Sequence, residues 1–251
     1  MKYNRQKEME KYLREKVSVS NEELLEKFNI SIQTLRRDLK YFEDRNLITK
    51  VYGGVICNEE TDSLKKVDSF NQRNTSNYEE KDYIGKLAAQ EVQDNDVIFI
   101  DSGTTAYHMV KYLSDKKNVT VISHCLEVMQ MIMDYPNLIG ICAGGTLNHS
   151  TGTFLVDTKF YPYNYNKAFI STVGISTMRN FTNTHLEEGQ MKSHVISHSH
   201  KVYIVADHTK FDVIAFNHFA DFTDVDVVIT DCKPAEKFLR IFESNQTKVL
   251  Y

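Results

Sequence analysis

The chain has 251 residues, 41% hydrophobic and 25% charged, the composition of a globular protein with enough apolar material for a sizeable core. Only 10 glycines and 3 prolines exclude collagen-like, linker-rich and low-complexity architectures. The four cysteines (Cys57, Cys125, Cys142, Cys232) have no metal-ligand or CxxC spacing. With a charged N-terminus and no apolar run near the ~18 residues of a membrane span, they predict reduced thiols and a cytoplasmic protein with no membrane partner.

The net charge of −4 is unevenly spread: residues 1–55 hold 12 Lys+Arg against 9 Asp+Glu, and the remainder holds 18 against 25. A basic head on an acidic body suits an anionic partner for the head alone. Met9, Tyr12 and Leu13 recur at helical spacing, and Ser20 to Glu23 has the form of a capping box opening a second helix with Leu24, Leu25 and Phe28 inward. After the turn Asn29-Ile30-Ser31, Ser31 can cap a third helix over Ile32 to about Asp44. Leu35, Leu39 and Phe42 form its apolar side. Its polar face, with the alternating run Leu47–Tyr52 and the turn Gly53-Gly54 before Val55-Ile56, predicts a winged helix-turn-helix. Ser31, Gln33, Thr34 and Arg37 are candidates for base edges. Arg36, Lys40, Lys50 and Tyr52 are candidates for the phosphate backbone and wing tip.

This run resembles the N-terminal domain of DeoR-type bacterial transcriptional regulators. The matching residues are Ile30-Ser31, Thr34, Arg36-Arg37-Asp38-Leu39, Asn46-Leu47 and Gly53-Gly54. The departures are Lys50 for the usual Arg and Tyr52 for the usual His, both of which keep a polar wing tip.

The organisation expected is a DNA-binding domain over residues 1–56, a polar linker over 57–78 and an α/β domain over 79–251. Strand-like runs at Val97–Ile100, Val119–Ile122, Leu138–Cys142, Ala168–Thr172, Val202–Ala206 and Val225–Thr230 alternate with helices at Ala106–Leu113, Leu126–Met133, Glu188–His198 and Ala235–Phe242. That alternation predicts a Rossmann-like, mostly parallel sheet covered on both faces, with ligands at the carboxyl ends of its strands. Asp101-Ser102-Gly103-Thr104-Thr105 joins the first such strand to a helix; its hydroxyls and free amides suit a phosphate, and it lacks the Gly-Lys of a nucleotide-hydrolysing loop. Gly144, Gly145 and Gly174 follow other strands, Lys210 supplies a compact cation, and Glu188 and Lys192 stand at helical i,i+4 spacing. His194, His198 and His200 lack a completing ligand, so no metal or cofactor is expected.

The body also resembles the effector domain of DeoR-type regulators, through Phe70 and Arg73, Glu80-Lys81, Asp101 to Thr105, Gly144-Gly145, Lys167 to Ile170, Ala206 to Phe211 and Ile229 to Asp231. The resemblance implies a fold similar to ribose-5-phosphate isomerase and the CoA transferases, a phosphorylated-sugar effector and a homodimer or homotetramer. Ser123-His124 stands where the family usually has Thr-Asn, and Asn180-Phe181 where a Gly is usual; the resemblance puts both near the expected sugar pocket, with Ser123 a candidate ligand residue. The function expected is a non-enzymatic repressor of sugar-metabolism genes controlled by that effector. The alternatives are a phosphosugar isomerase using Asp101, Glu188 or Asp207 and fused to a DNA-binding head, and a domain that only oligomerises.

Overall fold

The computed structural model describes residues 5–6, 8–9, 12–13, 18–43, 48–51, 54–57, 69–149, 151–155 and 162–251. The chain divides into two units, Met1–Lys65 and Lys66–Tyr251.

In the first unit, strand β1 (Ser18–Ser20) leads into helix α1 (Asn21–Phe28), then α2 (Ile32–Glu43) and strands β2 (Ile48–Val51) and β3 (Gly54–Cys57). The turn between the helices works because Asn29 takes a left-handed conformation (φ 46°), returning its amide to the Glu26 and Leu25 carbonyls. Met9, Leu13, Leu24, Leu35, Leu39 and Phe42 form the core with Val19, Ile48 and Val55 from the strands. The antiparallel sheet has three strands in the order β1-β3-β2. Strand β1 was not expected, because three residues ending in a capping serine carry no period. The capping box is half made: Ser20 Oγ accepts from the Glu23 amide at 3.1 Å, while the Glu23 carboxylate accepts from the Tyr12 hydroxyl at 2.5 Å.

The second unit opens with α3 (Phe70–Thr75) and α4 (Tyr78–Gln90). Strand β4 (Val97–Ile100), helix α5 (Thr104–Tyr107), strand β5 (Val119–Ser123), helix α6 (Leu126–Ile132) and strand β6 (Leu138–Cys142) follow. A hairpin of β7 (Thr146–Asn148) and β8 (Thr153–Leu155) precedes β9 (Tyr165–Ser171), β10 (Gly174–Ser176) and β11 (Asn180–Asn183). The chain ends through α7 (Leu186–Ser197), β12 (Ser199–Val205), β13 (Asn217–Ala220), β14 (Val227–Ile229), α8 (Glu236–Ser244) and β15 (Lys248–Leu250).

Seven strands form one parallel sheet in the order β15-β14-β12-β9-β4-β5-β6. Side chains alternate between its faces. Ile98 and Ile100 join Ile84 and Ala88 of α4 on one side; Phe99 joins Met191 and Val195 of α7 and Phe238 of α8 on the other. Chain order runs outward in opposite directions from β4 and β9, so the sheet has its topological switch point between them. A separate antiparallel sheet, β10-β11-β13, stands beside it.

Two elements depart from expectation. The segment 57–78 contains α3, opened by a full capping box between Ser69 and Gln72. The helix expected over Ala106–Leu113 is one α turn, Thr104–Tyr107, followed by a 3-10 turn at Val110–Leu113. A single turn sums few peptide dipoles, so helix polarity contributes less to that loop than the sequence suggested.

Candidate functional site

Two groups of polar residues stand out, one in each unit. On α2, Ser31 caps the helix: its Oγ accepts from the Thr34 amide at 3.3 Å and its carbonyl from the Leu35 amide at 2.9 Å. With Leu35, Leu39 and Phe42 buried, Ser31, Gln33, Arg36, Arg37 and Lys40 are exposed and Thr34 is half-buried. Gln33, Arg36 and Lys40 follow helical i,i+3/i+4 spacing, so they share one open ridge with Arg37 beside it. Lys50 occupies a β2 position whose side chain lies outside the described residues, as do Tyr52 and Gly53.

Asp38 behaves differently from its neighbours. It is fully buried and accepts from Arg5 Nε (3.0 Å), Arg5 Nη2 (2.8 Å) and Gln6 Nε2 (2.7 Å). It therefore pins the N-terminal helical residues to the back of α2. Its charged type had given no sign of this inward role.

In the second unit the polar residues gather where strands β5, β4, β9 and β12 end. Asp101, just past β4, is fully buried. Its Oδ2 accepts from Lys192 Nζ at 2.6 Å and from the Ser171 amide at 3.1 Å. Burial pushes the Asp101 carboxyl up, but the Lys192 charge beside it prevails and holds it below the ordinary carboxylate value. Lys192 Nζ also donates to the Ser171 carbonyl at 2.8 Å. The i,i+4 pair with Glu188 is not formed: Lys192 turns to Asp101, and Glu188 accepts from Asn183 Nδ2 at 3.2 Å.

Beside Asp101, Gly103 packs so tightly on Ser171 that an added Cβ would fall 2.2 Å from the Ser171 Cβ and Oγ. The hydroxyls of Ser102, Thr104 and Thr105 make no hydrogen bond within the described residues, and the first amide to enter the α5 ladder is Tyr107, onto the Gly103 carbonyl. Ser123 is buried at the end of β5, where its Oγ accepts from the Cys125 amide at 3.1 Å. The next residue, His124, is 1% exposed and stacks on Phe99 with centroids 5.4 Å apart. Burial holds its imidazole below the usual histidine range, against the pull of Asp101 and Glu188.

Gly144 and Gly145, after β6, carry φ of +72° and +110°, so backbone conformation demands them there. Gly174 serves packing: a Cβ on it would meet the Val213 carbonyl oxygen at 2.4 Å, in the small antiparallel sheet. Past β12, Asp207 Oδ1 accepts from the Thr209 amide (3.0 Å) and Asn77 Nδ2 (3.4 Å), and Lys210 Nζ lies 3.9 Å from Asp207 Oδ2. Buried Lys81 donates to the Arg73 and Ser76 carbonyls at 2.5 and 2.6 Å. The α3–α4 corner, expected to be linker, is thus tied to the strand ends. The three carboxylates an isomerase would draw on, Asp101, Glu188 and Asp207, each hold a structural partner.

Several side-chain atoms here are buried with no hydrogen-bond partner among the described residues: Asp101 Oδ1, both ring nitrogens of His124, Ser171 Oγ, Thr151 Oγ1, Thr153 Oγ1 and Asp207 Oδ2, the last within ion-pair reach of Lys210. Leaving such an atom unmet costs about 1–3 kcal/mol. Asp101, His124 and Ser171 stand at the carboxyl ends of β4, β5 and β9, next to the switch point, where ligands of such sheets gather. Sequence reading picked out Asp101 and, through the family resemblance, put Ser123-His124 near the expected pocket, but gave no role to Ser171 or the β7–β8 hairpin, which strand order carries to the same end of the sheet. Among the described residues one group of metal-type donors, His208, Asp231 and Cys232, lies within 4.8 Å. Both Asp231 oxygens there already accept from His208, at 2.7 Å each.

Comparison with known proteins agrees with both units. The family model of the DeoR-like helix-turn-helix domain matches residues 5–61, and that of the DeoR C-terminal sensor domain matches residues 76–232. The chain is 33% identical over 233 residues to the HTH-type transcriptional regulator IolR of Bacillus subtilis, covering 92% of this chain and 91% of that one. It is 29% identical to the repressor GlcR of the same organism (95% and 92% covered) and 28% identical to the lactose phosphotransferase system repressor of Staphylococcus aureus (94% of each). A ribose 5-phosphate isomerase structure from Methanocaldococcus jannaschii aligns over 54% of this chain and 55% of that one, at 17% identity and a TM-score of 0.41. No helix among the described residues is long and apolar enough to cross a membrane. The chain belongs to the DeoR family of transcriptional regulators, with an operator-binding helix-turn-helix unit followed by a sensor domain.

Proposed function

We propose that the protein represses sugar-metabolism genes and that a phosphorylated sugar, bound where β5, β4, β9 and β12 end, controls its grip on the operator. The observation that carries this reading is the set of buried polar atoms without a hydrogen-bond partner at the strand ends, beside the buried Ser102, Thr104 and Thr105, whose hydroxyls make no hydrogen bond among the described residues. A sugar supplies many hydroxyls to the first group, and the hydroxyl loop with half-buried Lys210 suits a phosphate. Several similar regulators are named for sugar systems, including the lactose phosphotransferase system repressor.

On the head, Ser31, Gln33, Thr34 and Arg37 face base edges, while Arg36, Lys40 and Lys50 take phosphates. Two or four copies act together in the cytoplasm, so that two heads meet a repeated operator. Effector binding shifts the heads between a bound and a released arrangement, a coupling of about 1–3 kcal/mol. The test is an electrophoretic mobility shift on the DNA upstream of the protein's own coding region, with and without sugar phosphates, paired with thermal shift on the same ligands. Specific, salt-sensitive binding that a stabilising ligand alters supports the reading; binding indifferent to every sugar phosphate refutes it.

A further inference from the structure

Strands β12 and β14 are parallel neighbours, with Val205 opposite Ile229, so the segments leaving their carboxyl ends lie against each other. Both carry metal-type donors. His208 opens the short turn His208–Lys210 after β12, and Asp231-Cys232 follows β14. One ligand atom from each of the three lies within 4.8 Å of the others: a ring nitrogen, a carboxylate oxygen and a thiol sulfur. The histidines weighed in the sequence, His194, His198 and His200, are not among them. Nor is the buried group at Asp101 and His124, since β9 and β12 stand between β4 and β14.

The donors are held in place by the fold. Asp231 Oδ1 accepts from the His208 amide at 2.7 Å and from the Thr230 hydroxyl at 3.3 Å, which fixes the carboxylate. Its Oδ2 lies 2.7 Å from His208 Nδ1, and a carboxylate only accepts, so the ring nitrogen carries the proton between them. A metal ion can replace that proton. Zinc bonds of about 2.0–2.1 Å at a tetrahedral angle set the two donors roughly 3.3 Å apart, so the ring need move only about 0.6 Å. The His208 side chain is 50% exposed and has room to do so. Cys232 is a free, exposed thiol. A nitrogen, oxygen and sulfur set suits a zinc-class ion, whereas magnesium and calcium take oxygen. A reactive thiol is the poorer reading of the same three residues, because desolvation and the Asp231 carboxylate push the Cys232 thiol up rather than down.

We infer that His208, Asp231 and Cys232 bind one zinc-class divalent ion and leave its fourth position to water. The carboxylate and the bound thiolate match the charge of the ion, and the neutral imidazole completes the three protein ligands. Once bound, the ion ties the turn that bears Lys210 to the end of β14. The sensor domain then takes up a metal at a place distinct from its buried polar group.

The test is titration of the full chain, kept reduced by a phosphine, with Co²⁺ as the spectroscopic probe and Zn²⁺ as competitor. The wild type takes one Co²⁺ per chain and shows a near-ultraviolet thiolate-to-cobalt charge-transfer band, which Zn²⁺ erases and Mg²⁺ leaves alone. Cys232→Ser abolishes the band. Cys232→Ser and His208→Gln each weaken Zn²⁺ binding about tenfold or more, since losing even an outer partner of a ligand costs that much. Cys57→Ser and Cys142→Ser change neither readout. If His208→Gln disturbs folding, Cys232→Ser decides, because it is conservative and at an exposed position. A wild type without the band, a band that survives Cys232→Ser, or zinc affinity unchanged in Cys232→Ser overturns the inference. None of these arms uses a sugar phosphate, so the proposed function stands whichever way they fall.

Discussion

Lys192 Nζ lies 2.6 Å from Asp101 Oδ2, an ion pair between residues 91 positions apart with side chains 4% and 0% exposed. It joins helix α7 to the end of β4 and spans the switch point. Removing one partner strands the other as a buried charge, which costs about 3–5 kcal/mol. Lys192→Met should therefore lower stability in urea by that amount and release the Asp101 carboxyl from the charge that holds it down. A change under about 1 kcal/mol would mean that the pair breaks even in the native protein.

Arg37 and Asp38 adjoin in sequence yet should fail in opposite ways. Arg37 is exposed, so Arg37→Ala should change stability by no more than about 0.5 kcal/mol. Operator affinity should nevertheless fall. The salt dependence tells how: a lost phosphate contact lowers the slope by about one, whereas a lost base contact relaxes sequence preference. Asp38→Ala instead leaves Arg5 and Gln6 without their acceptor. It should loosen the N-terminal helical residues, read as faster hydrogen exchange at Met9 and Leu13, and weaken DNA binding by unfolding the head.

The head was legible because helical spacing, a capping serine and a basic face converge on one motif within thirty residues. The parallel strands were equally plain, since Val97–Ile100 and Val119–Ser123 are apolar runs buried on both faces. The short antiparallel strands β10, β11 and β13 escaped notice. Three or four residues give no period, and register comes from partners such as Phe181 and Ala220 that are distant in sequence. Within the site, Asp101 was visible from its loop. His124 was placed near it only through the family resemblance, and Ser171 was not seen at all: each comes to that end of the sheet through the order of strands, which local pattern does not encode. Lys192 invited pairing with Glu188 one turn away, whereas the deciding partner lay across the sheet.

Gly103 and Ser171 form a steric pair that a double substitution can expose. Gly103 has an ordinary φ of −72°, so its backbone would accept any residue. The obstacle is the Ser171 side chain, 2.2 Å from an added Cβ. Gly103→Ala should cost about 1–3 kcal/mol by overpacking. Combined with Ser171→Gly, which removes both clashing atoms, the same alanine should cost measurably less than it does alone. A non-additive term of at least about 0.5 kcal/mol in the cycle is the signature of contact. Strict additivity in thermal melts would show that the close approach of β4 and β9 relaxes by another route.

Acid should destabilise the sensor domain before its carboxylates titrate. His124 and His108 are both held below the ordinary histidine value of 6.5, in each case chiefly by burial. A folded state that binds protons less readily than the unfolded chain is favoured at higher pH. Their stabilising contribution is thus complete above about pH 6.5 and is lost as pH falls through the depressed native values. Asp101 and Asp82 are also lowered, from 3.8, so their contributions are lost only in a more acidic window. His208 has the opposite sign. Its hydrogen bond to Asp231 raises its pKa, so its contribution is present below 6.5 and fades as pH rises through the raised value. Because His208 is largely exposed, solvent screens that term and the buried pair should dominate. Thermal melts between about pH 7 and pH 5 should show the midpoint falling steadily. In His108→Asn the slope should be shallower than in the wild type; an unchanged slope would assign the acid sensitivity to other groups.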